Sequence, residues 1–236
     1  LAVDKQLINA QTFVIATGSS PKILPQFFGL GDKLIVNDDI FEWAELPKSV
    51  AVFGAGVIGL ELGQALHRLG VKVKVFGRPG RIRPITDPEI VSYAKKTFQS
   101  EFYLDSDSTI EKIWRDDDEV VIQYLTDGEQ NIERFEYLLA ATGRKPNIEN
   151  LDLSRTSLQL DSNGIPVFDR LTMQCGNSHF FIAGDINNDL TLLHEASDEG
   201  KIAGENAATF PNVSRGIRRS MLSVVFTDPQ IAVLGE

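Results

Sequence analysis

Residues 51–70 read AVFGAGVIGLELGQALHRLG and carry the strongest structural signal in the chain. A hydrophobic segment runs into a turn with three glycines, and an amphipathic helix follows. Gly54 permits a sharp turn, Gly56 lets a phosphate group approach the backbone, and Gly59 lets the helix pack closely on the strand. The first turn of a helix also offers unpaired N–H groups and the positive end of its dipole to an anion. The segment therefore predicts a site for a dinucleotide pyrophosphate, with a purely structural strand–turn–helix as the alternative.

The residues on both sides of the glycines support this prediction. Residues 49–53 form an apolar run that is typical of a buried parallel strand. Apolar residues then recur at helical spacing between positions 58 and 69. A second strand is predicted at residues 72–76, which completes a βαβ unit.

The end of the second strand bears on the choice between NAD and NADP. An acidic residue there accepts from the ribose 2′-OH of NAD, whereas an arginine favours the 2′-phosphate of NADP. Here the strand ends at Phe76-Gly77-Arg78 without a carboxylate, and Arg81 and Arg83 follow. Guanidinium groups pair well with phosphate, so Arg78 favours NADP. A solvated basic loop is the alternative.

Composition sets the class of protein. The 236 residues are 42% hydrophobic and 24% charged, as in a globular protein of one large or two modest domains. A net charge of −10 argues against nucleic acid and anionic membranes as partners. Cys175 is the only cysteine, which excludes an intrachain disulfide and a CxxC site. A single cysteine is typical of a reducing setting, so we expect a cytoplasmic protein. No transmembrane-length segment and no signal peptide are visible.

Further segments belong to the first complete α/β block, at residues 48 to about 135, and they predict no metal site. A helix is predicted over 87–99, and alternation at 120–124 before a Thr-Asp-Gly turn indicates an antiparallel hairpin. The acidic run at 116–119 is interpreted as a solvated turn, with cation binding as the alternative. The tripeptide Ala-Thr-Gly occurs at both 16–18 and 141–143, each time after an apolar run.

A second candidate ligand site lies after residue 180. The apolar segment 180–183 ends in Gly184-Asp185, and a helix is predicted to begin at Leu192 and to continue to residue 209. Ligands bind at the carboxyl ends of strands in α/β sheets, so Asp185 could accept from ribityl or ribose hydroxyls. An ordinary turn aspartate is the alternative.

Six motifs, taken together, resemble the pyridine nucleotide-disulfide oxidoreductases, which are flavoenzymes with two dinucleotide sites. Within that family the chain is most similar to the dihydrolipoamide dehydrogenases. The motifs are, in family order, ATGSSP at 16–21, GAGVIGLELG at 54–63, ATGRKPN at 141–147, FIAGD at 181–185, LLHEA at 192–196 and SVVFTDP at 223–229. The resemblance implies an α/β fold with two Rossmann-like, three-layer ββα domains for FAD and NAD(P), one complete and one partial.

The resemblance also implies a domain organisation. We expect a partial FAD-binding domain at 1–22, a connector at 23–47, an NAD(P)-binding domain at 48–135, a second FAD-binding segment at 136–219 and the start of a dimerisation domain at 220–236. The family's FAD-binding GxGxxG motif and its Cys-x4-Cys pair would precede Leu1, and its catalytic His-Pro-Thr segment would follow Glu236. We therefore expect the middle of a longer homodimeric enzyme. Cys175 does not match the redox pair and is interpreted as an incidental thiol.

Site residues follow from the same resemblance. The NAD(P) site would consist of Gly54, Gly56, Val57, Ile58, Gly59, Glu61, Arg78 and Gly143. The FAD site would consist of Thr17, Gly18, Arg144, Gly184, Asp185, Thr191, Leu192, Leu193 and His194. Asp185 would accept from the ribityl chain, and residues 191–194 would lie beneath the flavin ring. Glu61 matches a carboxylate that pairs with a flavin-side lysine absent from this chain, or else it complements the helix dipole.

The implied activity is hydride transfer between NAD(P)H and FAD, with onward exchange with a small disulfide or dithiol. The implied cofactors are FAD and either NADP or NAD, because Gly59 and Gly63 are typical of NAD users whereas Arg78 favours NADP. One alternative is a flavin-dependent NAD(P)H oxidase, transhydrogenase or acceptor reductase without a redox disulfide. Another is that residues 1–236 alone form an inactive dinucleotide-binding module.

Overall fold

A computed structural model describes residues 2–3 and 6–235 of the chain. The strands are β1 Ala2–Val3, β2 Gln6–Leu7, β3 Phe13–Ile15, β4 Ser19–Pro21, β5 Leu34–Ile35, β6 Ser49–Phe53, β7 Lys72–Phe76, β8 Tyr103–Asp105, β9 Thr109–Asp116, β10 Glu119–Thr126, β11 Glu129–Phe135, β12 Tyr137–Ala140, β13 Arg144–Pro146, β14 Phe180–Ile182, β15 Leu222–Val225 and β16 Ile231–Leu234. The α-helices are α1 Val57–Arg68, α2 Pro88–Gln99 and α3 Leu193–Thr209. Short 3₁₀ segments lie at Pro25–Lys33, Asp39–Glu42, Leu153–Arg155 and Asp185–Asn187.

The chain divides into two compact units. Unit 1 contains Leu1–Ser20 and Arg144–Ser220, and unit 2 contains Pro21–Gly143 and Met221–Glu236. Strand β12 lies in unit 2. The domain organisation expected from the sequence instead assigns residues 136–143 to the second FAD-binding segment.

Unit 2 is built on a parallel five-stranded sheet in the order β5-β12-β6-β7-β8. The predicted strands at 49–53 and 72–76 are confirmed, and they pair in register from Ser49 with Lys72 to Phe53 with Phe76. Both carboxyl ends therefore meet at one edge of the sheet, next to the glycine turn.

Alternating side chains let this sheet bury both faces. Val50 and Val52 face one core, which contains residues of α1 and α2, whereas Ala51 and Phe53 face another core formed with β10 and β11. Burial of Leu60 on α1 is complete, so its truncation to alanine would cost about 2–5 kcal/mol. The predicted three-layer ββα arrangement and the α/β class are confirmed.

The antiparallel sheet β9-β10-β11 forms the third layer, and it confirms the predicted hairpin. The acidic run lies at the β9–β10 turn, where Asp117 has a φ of 51° and Arg134 pairs with Asp116 and Glu119 at 2.5 and 3.1 Å. Among the described residues, His, Cys, Asp and Glu side chains do not form a group of three that could hold a metal ion.

Unit 1 contains a parallel pair, β3 with β14, against which α3 packs. The predicted helix at 87–99 is observed as α2, and the one at 192–209 as α3, each beginning one residue later than predicted.

Asp87 caps α2 by accepting from the N–H groups of Glu89 and Ile90. Within residues 2–3 and 6–235, no helix is both long and apolar enough to cross a bilayer.

Candidate dinucleotide-binding sites

The glycine turn between β6 and α1 is dictated by close packing. Gly54 has a φ of 121°, and a Cβ at this position would lie 2.1 Å from the carbonyl oxygen of Ala141. At Gly59 a Cβ would lie 1.8 Å from the carbonyl oxygen of Gly54. One turn further along α1, Gly63 packs closely on β7, because a Cβ there would lie 2.9 Å from Cγ2 of Val75. These glycines bring α1 onto the sheet and fix the position of its N-terminus.

The N-terminus of α1 is open in the way an anion site requires. Gly56 is the N-cap, and a Cβ on it would meet no described atom within 4 Å. The first helical hydrogen bond runs from Leu60 N–H to Gly56 at 2.9 Å, so α1 provides no partner for the N–H groups of Val57, Ile58 and Gly59. The first turn carries no acidic side chain that would repel a phosphate.

The arginine loop after β7 is tied to the glycine turn. Gly54 N–H donates to Phe76 at 2.7 Å, and Arg83 N–H donates to the carbonyl oxygen of Ala55 at 3.1 Å. Arg78 and Arg81 form an isolated antiparallel bridge in the same loop. The guanidinium groups of Arg78, Arg81 and Arg83 are exposed and have no hydrogen bond or ion pair with any described residue.

The backbone at position 77 is closely packed. A Cβ on Gly77 would lie 3.0 Å from the Cβ of Ala55 and 3.2 Å from the Cβ of Ser106. The neighbouring strand β8 ends in a carboxylate, Asp105, which accepts from the N–H groups of Asp107 and Ser108 and from the Thr126 hydroxyl at 2.8–2.9 Å. Burial acts to raise the pKa of Asp105, but these hydrogen bonds hold the pKa below its usual value.

Two further residues of the implied NAD(P) site lie in unit 2. Glu61 on α1 accepts from the N–H of Phe226 at 2.8 Å. Gly143 has a φ of 103°, and its carbonyl oxygen accepts from the N–H of Lys22 at 2.9 Å. The preceding Ala141 donates its N–H to Phe53 at 2.8 Å, which places this second Ala-Thr-Gly turn beside the glycine turn.

In unit 1, Asp185 is at the centre of a polar cluster after β14. Its Oδ2 accepts from the hydroxyl of Ser19 at 2.7 Å. Arg144 donates to the same hydroxyl and to the Ser19 carbonyl oxygen, both at 2.7 Å. The Oδ1 atom of Asp185 makes no hydrogen bond within the part of the chain that the structure describes, and the side chain is 27% exposed. That oxygen is available to accept from a ligand hydroxyl.

Thr17 and Gly18 follow the carboxyl end of β3. Because β3 and β14 are parallel, this end lies beside the end of β14 that leads to Asp185. Thr17 donates its hydroxyl to the carbonyl oxygen of Asn147 at 2.8 Å, and the Asn147 side chain donates to the Thr17 carbonyl oxygen at 2.9 Å. Gly18 has a φ of 68°, and its carbonyl oxygen accepts from Asn147 N–H at 3.0 Å. Ser19 and Asn147 thus support residues named from the sequence but were not themselves predicted.

The start of α3 places residues 191–194 at the surface of unit 1. Thr191 is exposed, Leu193 is 90% exposed, and Leu192 is half-buried as the N-cap. Nε2 of His194 lies 4.0 Å from Oε1 of Glu195 and has no hydrogen bond within the described residues.

Gly184 has a φ of 77° and begins the turn that carries Asp185. Its N–H donates to Glu199 on α3 at 2.7 Å. Burial raises the pKa of Glu199, while this hydrogen bond and the Arg218 guanidinium act in the opposite direction. Glu199 and Arg218 are functional candidates that the sequence motifs did not identify.

The profile of the pyridine nucleotide-disulphide oxidoreductase family matches residues 2–200. The chain belongs to this family. A mercuric reductase from Lysinibacillus sphaericus is 32% identical over 97% of this chain, and a dihydrolipoyl dehydrogenase from Bacillus subtilis is 32% identical over 87%. The matches cover 42% and 44% of those proteins, so this chain spans less than half their length.

Solved structures agree with the pyridine nucleotide-disulphide oxidoreductase assignment. The crystal structure of LpdA from Mycobacterium tuberculosis has a TM-score of 0.78 and 28% identity, covering 94% of this chain and 48% of LpdA. The HOCl-induced flavoprotein disulfide reductase RclA from Escherichia coli has a TM-score of 0.81 over 97% of this chain and 52% of RclA. Its identity of 19% supports the fold alone.

Within this family member, Cys175 is part of the packed core of unit 1. The side chain is 2% exposed, and burial raises the pKa of its thiol to about 12. A buried, protonated thiol does not react as a nucleophile, so Cys175 behaves as a small apolar residue.

Proposed function

We propose that this chain is the nucleotide-binding middle of an FAD-dependent enzyme related to dihydrolipoamide dehydrogenase. The complete enzyme transfers a hydride between NAD(P)H and FAD and exchanges electrons with a small disulfide or dithiol. The observation that carries the proposal is the open N-terminus of α1, where Gly56 faces free space and three backbone N–H groups lack helical partners. The bound cofactors supply the redox chemistry, and this chain binds and orients them.

The NAD(P) site takes the pyrophosphate on the N–H groups of Val57, Ile58 and Gly59. Arg78 lies in the loop after β7, and its guanidinium group has no partner among the described residues, which favours a ribose 2′-phosphate and therefore NADP(H). Gly143 approaches the same cofactor from the neighbouring turn, and Glu61 supports the flavin side of the site.

The FAD site takes the ribityl hydroxyls on the free oxygen of Asp185, beside Gly184, with Thr17, Gly18 and Arg144 along the cofactor. Residues 191–194, including Leu192, Leu193 and His194, lie beneath the flavin ring. The dipole of α3 then favours negative charge on the reduced ring. The proposed segments are 1–22 and 136–219 as FAD-binding, 23–47 as connector, 48–135 as NAD(P)-binding and 220–236 as the start of a dimer interface. Within 136–219, however, strand β12 belongs to the parallel sheet of unit 2.

A decisive experiment uses the full-length protein with bound FAD under anaerobic conditions. Mixing with NADPH or NADH should bleach the flavin absorbance, faster or at lower concentration with NADPH. Electrons should then pass to lipoamide. Hg(II) should be tested as a second electron acceptor, because mercuric reductases are among the relatives. Failure of both nucleotides to reduce the flavin would contradict the proposal. Reduction without transfer to any disulfide would favour an oxidase, transhydrogenase or other acceptor reductase.

The isolated residues 1–236 should bind NADPH but show no turnover. Titration with NADPH, NADH and FAD tests this, and tight FAD binding would contradict the proposal that half of the flavin site lies elsewhere. The full-length enzyme is proposed to be a cytoplasmic homodimer, and sedimentation of the full-length protein checks the dimer. The net charge of −10 supports the proposal that neither nucleic acid nor a membrane is a partner.

A further inference from the structure

Glu199 is a fully buried carboxylate that holds the turn after β14 at two points. Its Oε2 accepts from the N–H of Gly184 and from the side-chain amide of Asn187, both at 2.7 Å. Gly184 is the N-cap of the 3₁₀ segment Asp185–Asn187, and Asn187 is its last residue. A single oxygen on α3 therefore fixes both ends of the segment from which Asp185 projects.

The charge of Glu199 is balanced by one arginine. Nη2 of Arg218 lies 3.1 Å from Oε1 of Glu199 and donates to Oε2 of Glu195 at 2.6 Å. The side chains of Glu195 and Glu199 are 1% and 0% exposed, and that of Arg218 is 12% exposed. Two buried carboxylates thus depend on the same guanidinium, because a buried charge without a partner is strongly unfavourable.

The backbone before Arg218 is fastened to α3. Asn206 on α3 accepts from the N–H of Ser214 at 2.8 Å and donates to its carbonyl oxygen at 2.8 Å. A Cβ on Gly216 would lie 2.3 Å from Cγ1 of Ile202, so the chain presses directly on the helix there. This segment presents Arg218 to the two carboxylates in a fixed position.

We propose that Glu199, held by Arg218, is a positioning residue that orients Asp185 for the ribityl hydroxyls of FAD. The inference rests on the proposed FAD site at Asp185. Glu199 does not contact the cofactor in this scheme. It keeps the 184–187 turn rigid, so that the turn loses no conformational entropy when the Oδ1 atom of Asp185 binds the ligand.

Two matched variants of the full-length protein separate the hydrogen bonds of Glu199 from its charge. Glu199→Asp keeps the charge for Arg218 but withdraws the acceptor from Gly184. Glu199→Gln loses the charge but keeps an oxygen for Gly184 and Asn187. Asp198→Asn is the control, because Asp198 is the preceding residue of α3 and pairs with Arg219 away from the turn.

The readout is the Kd for FAD from fluorescence titration of the apoprotein, with the Kd for NADPH as a check of folding. We expect Glu199→Asp to raise the FAD Kd about tenfold or more, and Glu199→Gln and Asp198→Asn to stay within about threefold of the parent. A loss of FAD affinity in Glu199→Gln without one in Glu199→Asp would overturn the inference, because the charge of Glu199 and not its hydrogen bonds would then matter. Equal losses in the two variants would overturn it as well, because the effect would then not depend on where the acceptor oxygen lies.

A double-mutant cycle with Asp185→Ala tests whether Glu199 acts through Asp185. If it does, adding Glu199→Asp to Asp185→Ala raises the FAD Kd little further. Additive effects would overturn the positioning role while leaving the FAD site in place. An unchanged FAD Kd in Asp185→Ala alone would instead contradict the proposed FAD site itself, which separates the two failures.

Discussion

Gly59 packs so closely on Gly54 that a methyl group at position 59 would lie 1.8 Å from the Gly54 carbonyl oxygen. Gly56, two residues after Gly54, faces open space instead. The three glycines of one motif therefore serve different purposes. Gly54 and Gly59 make the helix fit the strand, and Gly56 leaves open space at the N-terminus of α1.

This difference predicts opposite phenotypes for two alanine variants. Gly59→Ala should destabilise unit 2 by about 3 kcal/mol or more, because the neighbouring atom is backbone and cannot move aside easily. Gly56→Ala should cost at most about 1 kcal/mol of stability, because its φ of −106° suits alanine. Its affinity for NADPH should nevertheless fall about tenfold or more. Urea unfolding and NADPH titration measure the two effects. A stable Gly59→Ala protein would contradict the packing argument.

Charge reversal at Arg78 should change the choice of nucleotide. Arg78→Glu should weaken NADPH binding about 10-fold to 100-fold, because a charged hydrogen bond to phosphate is replaced by repulsion. NADH binding should change by less than about threefold. Lys96→Glu is the control, since Lys96 is an exposed residue in the last turn of α2 with the same change of charge. Titration of all three proteins with both nucleotides tests this. Equal losses for NADPH and NADH would rule out the phosphate contact.

The strand–turn–helix at residues 49–68 is predictable from sequence because its determinants are local. Glycine spacing, an apolar run and helical periodicity all lie within one βαβ unit, and the structure has the predicted strands there. The packing around Gly77 is not local in sequence, because a Cβ there would lie closest to Ala55 in the glycine turn and to Ser106 after the next strand. Sequence alone therefore reveals a missing carboxylate but not how closely the backbone is packed there.

The residues that hold the Asp185 turn, Glu199 and Arg218, are not predictable from local sequence. Glu199 lies 15 positions from Gly184, and Arg218 lies 23 positions from Glu195. Helical register does place Glu195 and Glu199 on the buried face of α3 with Ile202, which marks them as unusual. The identity of their partners depends on how the segment after α3 returns to the helix, and no local pattern encodes that path.

The Cys175 thiol should be silent in the folded protein. Burial raises its pKa to about 12, so at a pH of about 8.5, where a free cysteine is half ionised, the thiolate is scarce. We expect no alkylation of Cys175 in native protein and full alkylation in guanidinium chloride. Mass spectrometry of the peptide containing Cys175 makes the measurement. Rapid native labelling would contradict the buried, apolar role.

Asp105 should govern part of the acid stability of unit 2. Its folded-state pKa lies below the reference value of 3.8, so the charged form stabilises the fold above that pH and this stability is lost as pH falls through the folded pKa. Asp105→Asn should lose about 1.5–3 kcal/mol at neutral pH, because an amide has one acceptor oxygen where the carboxylate has two. Its unfolding free energy should also fall less steeply below a pH of about 4.

Asp127→Asn is the control, because Asp127 is exposed in a turn with a φ of 52°, which asparagine also adopts. Urea titrations over the acid range compare the slopes. Parallel acid profiles for the parent and Asp105→Asn would show that Asp105 does not link protonation to folding.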